Sequence, residues 1–417
     1  MPFRIALSGL NAASSDLRVI GNNVANASTT GFKKSRTEFS DIYAFANLGA
    51  GSNTIGSGVR VNNISQQFSQ GNISFTDNNL DLAISGQGFF RLSDNGTTVF
   101  TRNGTFSVDN QGYVVNSQDN RLTGFLADNA GNITGALGEI QLDTSDIAPQ
   151  ATSTIDYGLN LNASAPASAS VLGPFDVNDA ATYNDSTSLT IYDSLGDSHL
   201  ATTYYRKTAV PNQWEVYTFV DGSQINGAQA NGSDLLDFDS LGDLQAINGT
   251  ATPPSTYTMA NPFTPTNGAG NITLTMDYTS LTQYGGGFNV NALVQNGYST
   301  GRLSGINIDD TGIVQAKFTN GQTRTLAQIA LANFSNEQGL QQNGDTSWSE
   351  TFESGPALVG APGSSSLGLV QSGALEGSNV DLTEQLVNMI TAQRNFQANA
   401  QIISTADTVT QTIINIR

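Results

Sequence analysis

The chain of 417 residues contains no cysteine. That excludes a disulfide framework, a thiolate zinc site and a cysteine nucleophile. Histidine occurs once, as His199, so a histidine-based metal triad or a Ser-His-Asp triad would rest on a single residue. Charged side chains make up only 12% of the chain, with a net charge of −19. A balance that acidic argues against a nucleic-acid partner. No apolar run approaches the length of a membrane span, so no membrane insertion is expected. The opening residues Met1-Pro2-Phe3-Arg4 lack the apolar core and small-residue cleavage site of a secretory signal peptide. Taken alone, these absences read as a cytoplasmic protein.

The polar part that is present is dominated by Asn, Thr, Ser and 43 Gly residues. It describes a β-rich, turn-rich body, in a length comfortable for two to four domains. The few basic residues are unevenly placed. Arg4, Arg18, Lys33, Lys34 and Arg36 all fall in the first forty positions. The acidic middle favours solubility.

The two termini stand apart from this body. Phe3, Leu10, Leu17 and Val24 recur every seven residues, and Ala6, Ala13, Ile20 and Ala27 form a second row beside them. At the other end Leu382, Met389, Phe396 and Ile403 repeat the first pattern. Ala392, Ala406 and Ile413 belong to a second row, which Asn399 interrupts. Such spacing lines one face of a helix. Residues 383–411 contain no Gly or Pro to break it, and Asp381 or Ser378 is placed to cap it. Each stripe is either an ordinary helix packed on its own domain or a surface for association. Ordering a residue costs about 1–2 kcal/mol and a buried large apolar side chain returns only about 1.5–3. A helix with one apolar row therefore needs neighbours on more than one side, and the alanine rows leave room for them.

Between the termini, 28–71 reads as an extended linker with short β pieces. Asn95-Gly96, Asn103-Gly104 and Gln111-Gly112 separate short apolar alternations, a hairpin signature. This places a β domain at 72–147. Strands are expected at Leu189-Thr190-Ile191-Tyr192, at 214–219 and at Ile272, Leu274, Met276 and Tyr278. They assign a second β domain to 148–292, with a long-loop insertion at 221–268. Residues 293–365 are again β-rich and are expected to complete the first domain, and 366–377 is a second linker. The expected fold class is mixed and multidomain. Helices at 1–27 and 378–417 pair in a coiled-coil-like core, and two largely antiparallel β domains are nested, the outer inserted in the inner.

No catalytic, cofactor-binding or metal-binding residue emerges from the motifs. His199 reads as a loop or strand-end residue. Asp237, Asp239 and Asp243 resemble part of a calcium loop but lack the third alternating acid and the closing Glu, so they read as an acidic turn. Asp193, Asp197, Asp309 and Asp310 read the same way. No enzyme is expected, and no cofactor.

Two segments do match a known pattern. Gly9-Leu10-Asn11-Ala12-Ala13, Ile20-Gly21-Asn22-Asn23-Val24-Ala25-Asn26 and Thr30-Gly31-Phe32-Lys33 resemble the N-terminal signature of bacterial flagellar rod and hook proteins. Leu375-Glu376-Gly377-Ser378-Asn379-Val380-Asp381-Leu382 and Ala392-Gln393-Arg394-Asn395-Phe396 are similar to their C-terminal signature. Ile191-Tyr192-Asp193-Ser194-Leu195-Gly196, residues 295–301 and residues 329–334 with Gly339-Leu340 look like the hook members of this axial family. Rod members are shorter and lack a large middle insertion. The resemblance covers nearly the whole chain and is weakest across 221–268.

The resemblance implies a homopolymer of many copies, a curved and flexible tube that acts as a universal joint between rod and filament. It implies export through the flagellar type III apparatus without a cleaved signal peptide, which overrides the cytoplasmic reading. It implies partners in the flagellar rod, the hook cap and the hook–filament junction. The self-assembly interface it implies falls on Phe3, Leu10, Leu17, Val24, Leu382, Met389, Phe396, Ile403 and Ile413, and the terminal helices are expected to order on polymerisation. Some hook relatives crosslink subunits through a cysteine, a chemistry this chain lacks. The competing readings are a distal rod subunit forming a straight tube and an exported β-rich adhesin or hydrolase.

Overall fold

The computed structural model describes residues 2–42, 56–128, 130–143, 145–167, 174–227, 229–251 and 256–415. Two helices bracket the chain. α1 spans Pro2–Ala25 and α2 spans Leu382–Asn415. Asp381 starts α2: its Oδ1 accepts hydrogen bonds from the Thr383 and Glu384 N–H groups at 2.8 and 3.2 Å, which satisfies two donors the first helical turn leaves free. Neither helix is long and apolar enough to cross a membrane.

The chain divides into two compact units. The first comprises 1–144, 305–317 and 323–417, so it is built from both ends of the sequence. Its pairings repeatedly join the early part of the chain to the late part. Strand Leu82–Ser85 pairs with Leu369–Ser372, and Ile73–Phe75 pairs with Ala374–Glu376. Arg121–Ala127 pairs with Thr323–Ile329. The segment expected to be a second linker is therefore two short strands. Its alternation is too short to read from sequence, and its partners lie far away in the chain, Ile73 with Glu376 and Ser85 with Leu369. In the N-terminal linker, strands β1 (Ser35–Asp41) and β2 (Val59–Gln66) form an antiparallel hairpin.

Phe89, Phe100, Phe334 and Trp348 form a buried aromatic cluster in this unit, with Phe68 packed on it. The rings meet edge to face at centroid distances of 4.8–5.9 Å, the arrangement their quadrupoles favour.

The second unit comprises 145–304 and 318–322. A five-stranded and a seven-stranded sheet enclose one core of Leu159, Leu161, Tyr205, Trp214, Leu236, Leu274, Met276 and other apolar residues. The region expected as a long-loop insertion supplies strands Asp234–Phe238, Leu244–Ile247 and Thr250–Ala251 to the larger sheet. Its core-facing residues Leu236, Phe238 and Ile247 are buried. Most pairings are antiparallel. Thr154–Asn162 also pairs in parallel with Thr275–Asp277 and Thr282–Tyr284.

Five hairpin turns across the chain share one device. Asp109, Asp128, Asp193, Asp239 and Asp309 each accept the N–H of the residue four positions on, at 2.8–3.0 Å. In each a Gly three positions after the Asp takes a positive φ, from 75 to 90°, where a Cβ would be strained. The acidic turns are thus held by their own backbones, which accounts for the spacing that mimics a calcium loop. Among the described residues no three His or acidic side chains come together as metal ligands.

His199 belongs to the same framework. Its Nδ1 lies 2.6 Å from Asp221 Oδ2 and its Nε2 3.4 Å from Asp193 Oδ2. Burial opposes charge on the imidazole, but the two carboxylates outweigh it and raise the pKa. Asp193 is itself held down at about 2: burial works against its charge, and hydrogen bonds from Asn267, the Asp197 N–H and His199 overcome it. The single histidine therefore ties together two turns.

Candidate assembly surface

α1 and α2 pack against each other within the first unit. The row that makes this contact is the small one. Ala6, Ala13 and Ile20 of α1 are buried, as are Gln385 and Ala392 of α2. Asn399, which breaks the alanine row in the sequence, sits opposite Gly9. A Cβ at Gly9 would lie 2.5 Å from Asn399 Oδ1, so the glycine permits the close approach. The Asn23 Nδ2 group donates to Gln385 Oε1 at 3.1 Å and to the Ser35 carbonyl at 2.8 Å. This fixes the register of the pair and joins it to β1.

The large heptad row lies beside that contact. Leu10, Leu17, Val24, Met389, Phe396 and Ile403 are half-buried, and Phe3 and Leu382 are exposed. The side chain of Ile413 lies outside the described residues. Leu386, Val387 and Ile390, which the sequence reading did not single out, are 50%, 58% and 50% exposed. Ile402, Val409 and Ile414 continue the exposure toward the C-terminus. A run of this kind along one helix marks an interaction surface. The sequence did contain the signal: Leu382, Leu386 and Ile390 recur at helical spacing.

A second feature is a buried polar knot at the base of the helix pair. Lys33 Nζ lies 2.6 Å from Glu376 Oε1, and Arg102 Nη1 lies 3.0 Å from Glu376 Oε2. Lys33 also donates to the Ser69 carbonyl, Arg102 to the Gly86 carbonyl, and the Gly71 N–H to Glu376 Oε1, all at 2.8 Å. The Lys33 and Glu376 side chains are fully buried. Burial depresses the Lys33 pKa, and the Glu376 carboxylate works against that. Asn379 completes the knot by accepting the Lys34 N–H at 2.7 Å and donating to the Gln67 carbonyl at 2.7 Å. Gly31 is held at a φ of +70° with its N–H on the Glu376 carbonyl; a Cβ there would meet Asn103 N at 2.5 Å. The motifs Gly31-Phe32-Lys33 and Glu376-Gly377-Ser378-Asn379 are thus two halves of one fastening between the termini.

Four family models match in order along the chain. They are the Flagella basal body rod protein model over 3–33 and the Flagellar hook protein FlgE/F/G D1 domain over 83–156. The Flagellar basal body protein FlaE D2 domain follows over 160–298, and the Flagellar basal body rod FlgEFG protein C-terminal model over 371–416. The chain is 40% identical to the Flagellar hook protein FlgE of Escherichia coli, with 100% of both chains covered. The chain belongs to the flagellar hook protein family. It is a structural subunit of the bacterial flagellar hook.

The hook protein of Treponema pallidum is 32% identical over 99% of this chain and 98% of its own length. Among solved structures, Helicobacter pylori flagellar hook protein FlgE2 aligns with a TM-score of 0.54 at 14% identity, over 73% of this chain and 100% of that one, a likeness of fold. Lys33 and Glu376 of the knot fall within the matched terminal segments, 3–33 and 371–416, as does most of the helix pair, and Arg102 falls within the match at 83–156.

Proposed function

We propose that this hook subunit polymerises through its terminal helices into a curved, flexible tube that carries torque from the rod to the filament. The observation that carries the reading is the division of labour on the helices. The small-residue face is used up within one chain, while the large heptad row beside it is only half covered and Leu382, Leu386, Val387 and Ile390 stay in water. Fully burying one such side chain is worth about 1.5–3 kcal/mol, so neighbouring copies that cover Leu382, Leu386, Val387 and Ile390 gain enough to drive assembly. In the tube the helices form the inner layer, and the second unit, nested in the first, lies outside. The interface includes Phe3, Leu10, Leu17, Val24, Met389, Phe396, Ile403 and Ile413. The subunit meets the flagellar rod, the hook cap and the hook–filament junction proteins, and reaches its place through the type III export apparatus without a cleaved signal peptide.

The test is Leu382→Asp or Phe396→Asp, each expected to abolish polymerisation in sedimentation and electron microscopy with the β-sheet circular dichroism unchanged. Normal tubes from both variants would remove the helix face from the interface.

A further inference from the structure

The loop 350–356 in the first unit holds an aromatic ring entirely in solvent. Phe352 is 103% exposed. The loop beneath it is not loose. Thr351 Oγ1 donates to the Gly339 carbonyl at 2.6 Å, and the Thr351 N–H donates to Ser354 Oγ at 2.9 Å. The Glu353 N–H donates to Thr351 Oγ1 at 3.1 Å, and the Ala357 N–H to Glu350 Oε2 at 3.2 Å. Ser354 is completely buried, and Gly339 approaches so closely that a Cβ would lie 2.4 Å from Ser354 N. A pinned loop that presents Phe between Glu350 and Glu353 is a preformed knob with an acidic collar. Its ordering is complete before any partner arrives, which lowers the cost of binding.

The same unit contains a groove of ≈ 680 Å³, lined by Arg18, Val19 and Asn22 of α1, Phe32, Ile64 of β2 and Trp348. Its lining sets the apolar side chains of Val19, Phe32 and Ile64 among polar ones, Asp345 included, with Arg18 as its free cation. Arg18 is exposed, and its guanidinium donates to Ser15 Oγ at 3.0 Å. Among the described residues neither Arg18 nor Glu353 has an ion-pair partner. The ring matches the apolar patch of Val19, Phe32 and Ile64, and Glu353 matches Arg18.

We propose that Phe352 and Glu353 of one copy seat in the α1–β2–Trp348 groove of a second copy of this chain. Knob and groove occupy different places on one unit, so the contact is heterologous: each copy offers its knob to one neighbour and its groove to another. A contact of that kind that does not close on itself generates a helical polymer. It supplies a lateral contact outside the helix stripes, with an anchoring aromatic and a single charge pair, the composition of an interface hot spot.

The absence of cysteine makes the test clean. Pro356→Cys and Asn22→Cys chains, which keep Phe352 and Glu353 and place the thiol at an exposed position of the same loop, are mixed, assembled and treated with a short bis-maleimide. The proposal predicts a crosslinked dimer from the mixture and none from either variant polymerised alone. Phe352→Ala is expected to raise the critical concentration for assembly about tenfold or more. Phe352 is wholly exposed, so this variant keeps its fold. Glu353→Arg and Arg18→Glu are each expected to weaken assembly, and their combination to restore it to within about twofold. Polymers that form at the wild-type concentration from Phe352→Ala, or a mixed polymer without the dimer, would overturn the assignment. The proposal rests on the reading that the chain polymerises, and the two fail differently. If the helix face is not the interface, Leu382→Asp chains assemble normally. If the knob is misassigned, Leu382→Asp still blocks assembly while the crosslink is missing.

Discussion

Glu376 holds two cations at once, Lys33 on one oxygen and Arg102 on the other. Truncating it strands both charges in a dry site, and breaking a buried pair in this way costs about 3–5 kcal/mol. Glu376→Ala is therefore expected to lower the stability of the first unit by about that much. Guanidinium unfolding followed by Trp348 fluorescence, in a Trp214→Phe background, measures it. A change under about 1 kcal/mol would mean that water reaches the knot. Lys33, Arg102 and Glu376 are up to 343 residues apart in sequence, and no local pattern joins them. Sequence reading met Lys33 as one of the early basic residues and, with Glu376, as a member of the terminal signatures. Their chemistry became visible once the fold placed them together. The acidic turns at Asp193, Asp239 and Asp309 were legible for the opposite reason, since each is specified locally by an Asp and a Gly three positions later, a signal that Asp109 and Asp128 also carried unread.

At the scale of the helices, the seven-residue repeat located both elements, and the choice of cap between Asp381 and Ser378 fell to the structure, which puts Asp381 there. The repeat did not decide which row meets the partner helix, because two rows three residues apart share one period. Side-chain size decides that. Alanine and glycine let the backbones approach, and the bulky row is displaced to the flank. Gly9→Val is expected to push Asn399 aside and destabilise the pair by about 1–3 kcal/mol, as overpacked contacts do. Asn399→Ala in the same chain should recover most of it. The loss reads as reduced helical circular dichroism and a lower melting point for the pair. An unchanged melting point would mean that the two helices part easily in solution. Strand Asp234–Phe238 escaped detection because five residues with three apolar positions carry little periodicity, and its pairing partners Gln213–Val220 and Leu244–Ile247 supply the order.

At the scale of the molecule, the chain leaves the first unit at about residue 144 and returns at 305, with 318–322 joining the second unit again. A body attached this way can be removed up to residue 302 while strand Leu303–Ile308 stays in the first unit's sheet. Replacing 145–302 by a short Gly-Ser connection is expected to leave a chain that still polymerises, into tubes that are straight or poorly supercoiled. Normal curvature in those tubes would assign bending to the first unit. The central claim is that the helices drive assembly. Its most direct test is electron microscopy of the full-length chain beside a chain trimmed to residues 29–380, both seeded with hook fragments so that nucleation does not limit either. The trimmed chain keeps Lys33, Arg102 and Glu376 and hence its β body. The account predicts curved tubes from the full-length chain and none from the trimmed one; tubes from both would contradict it.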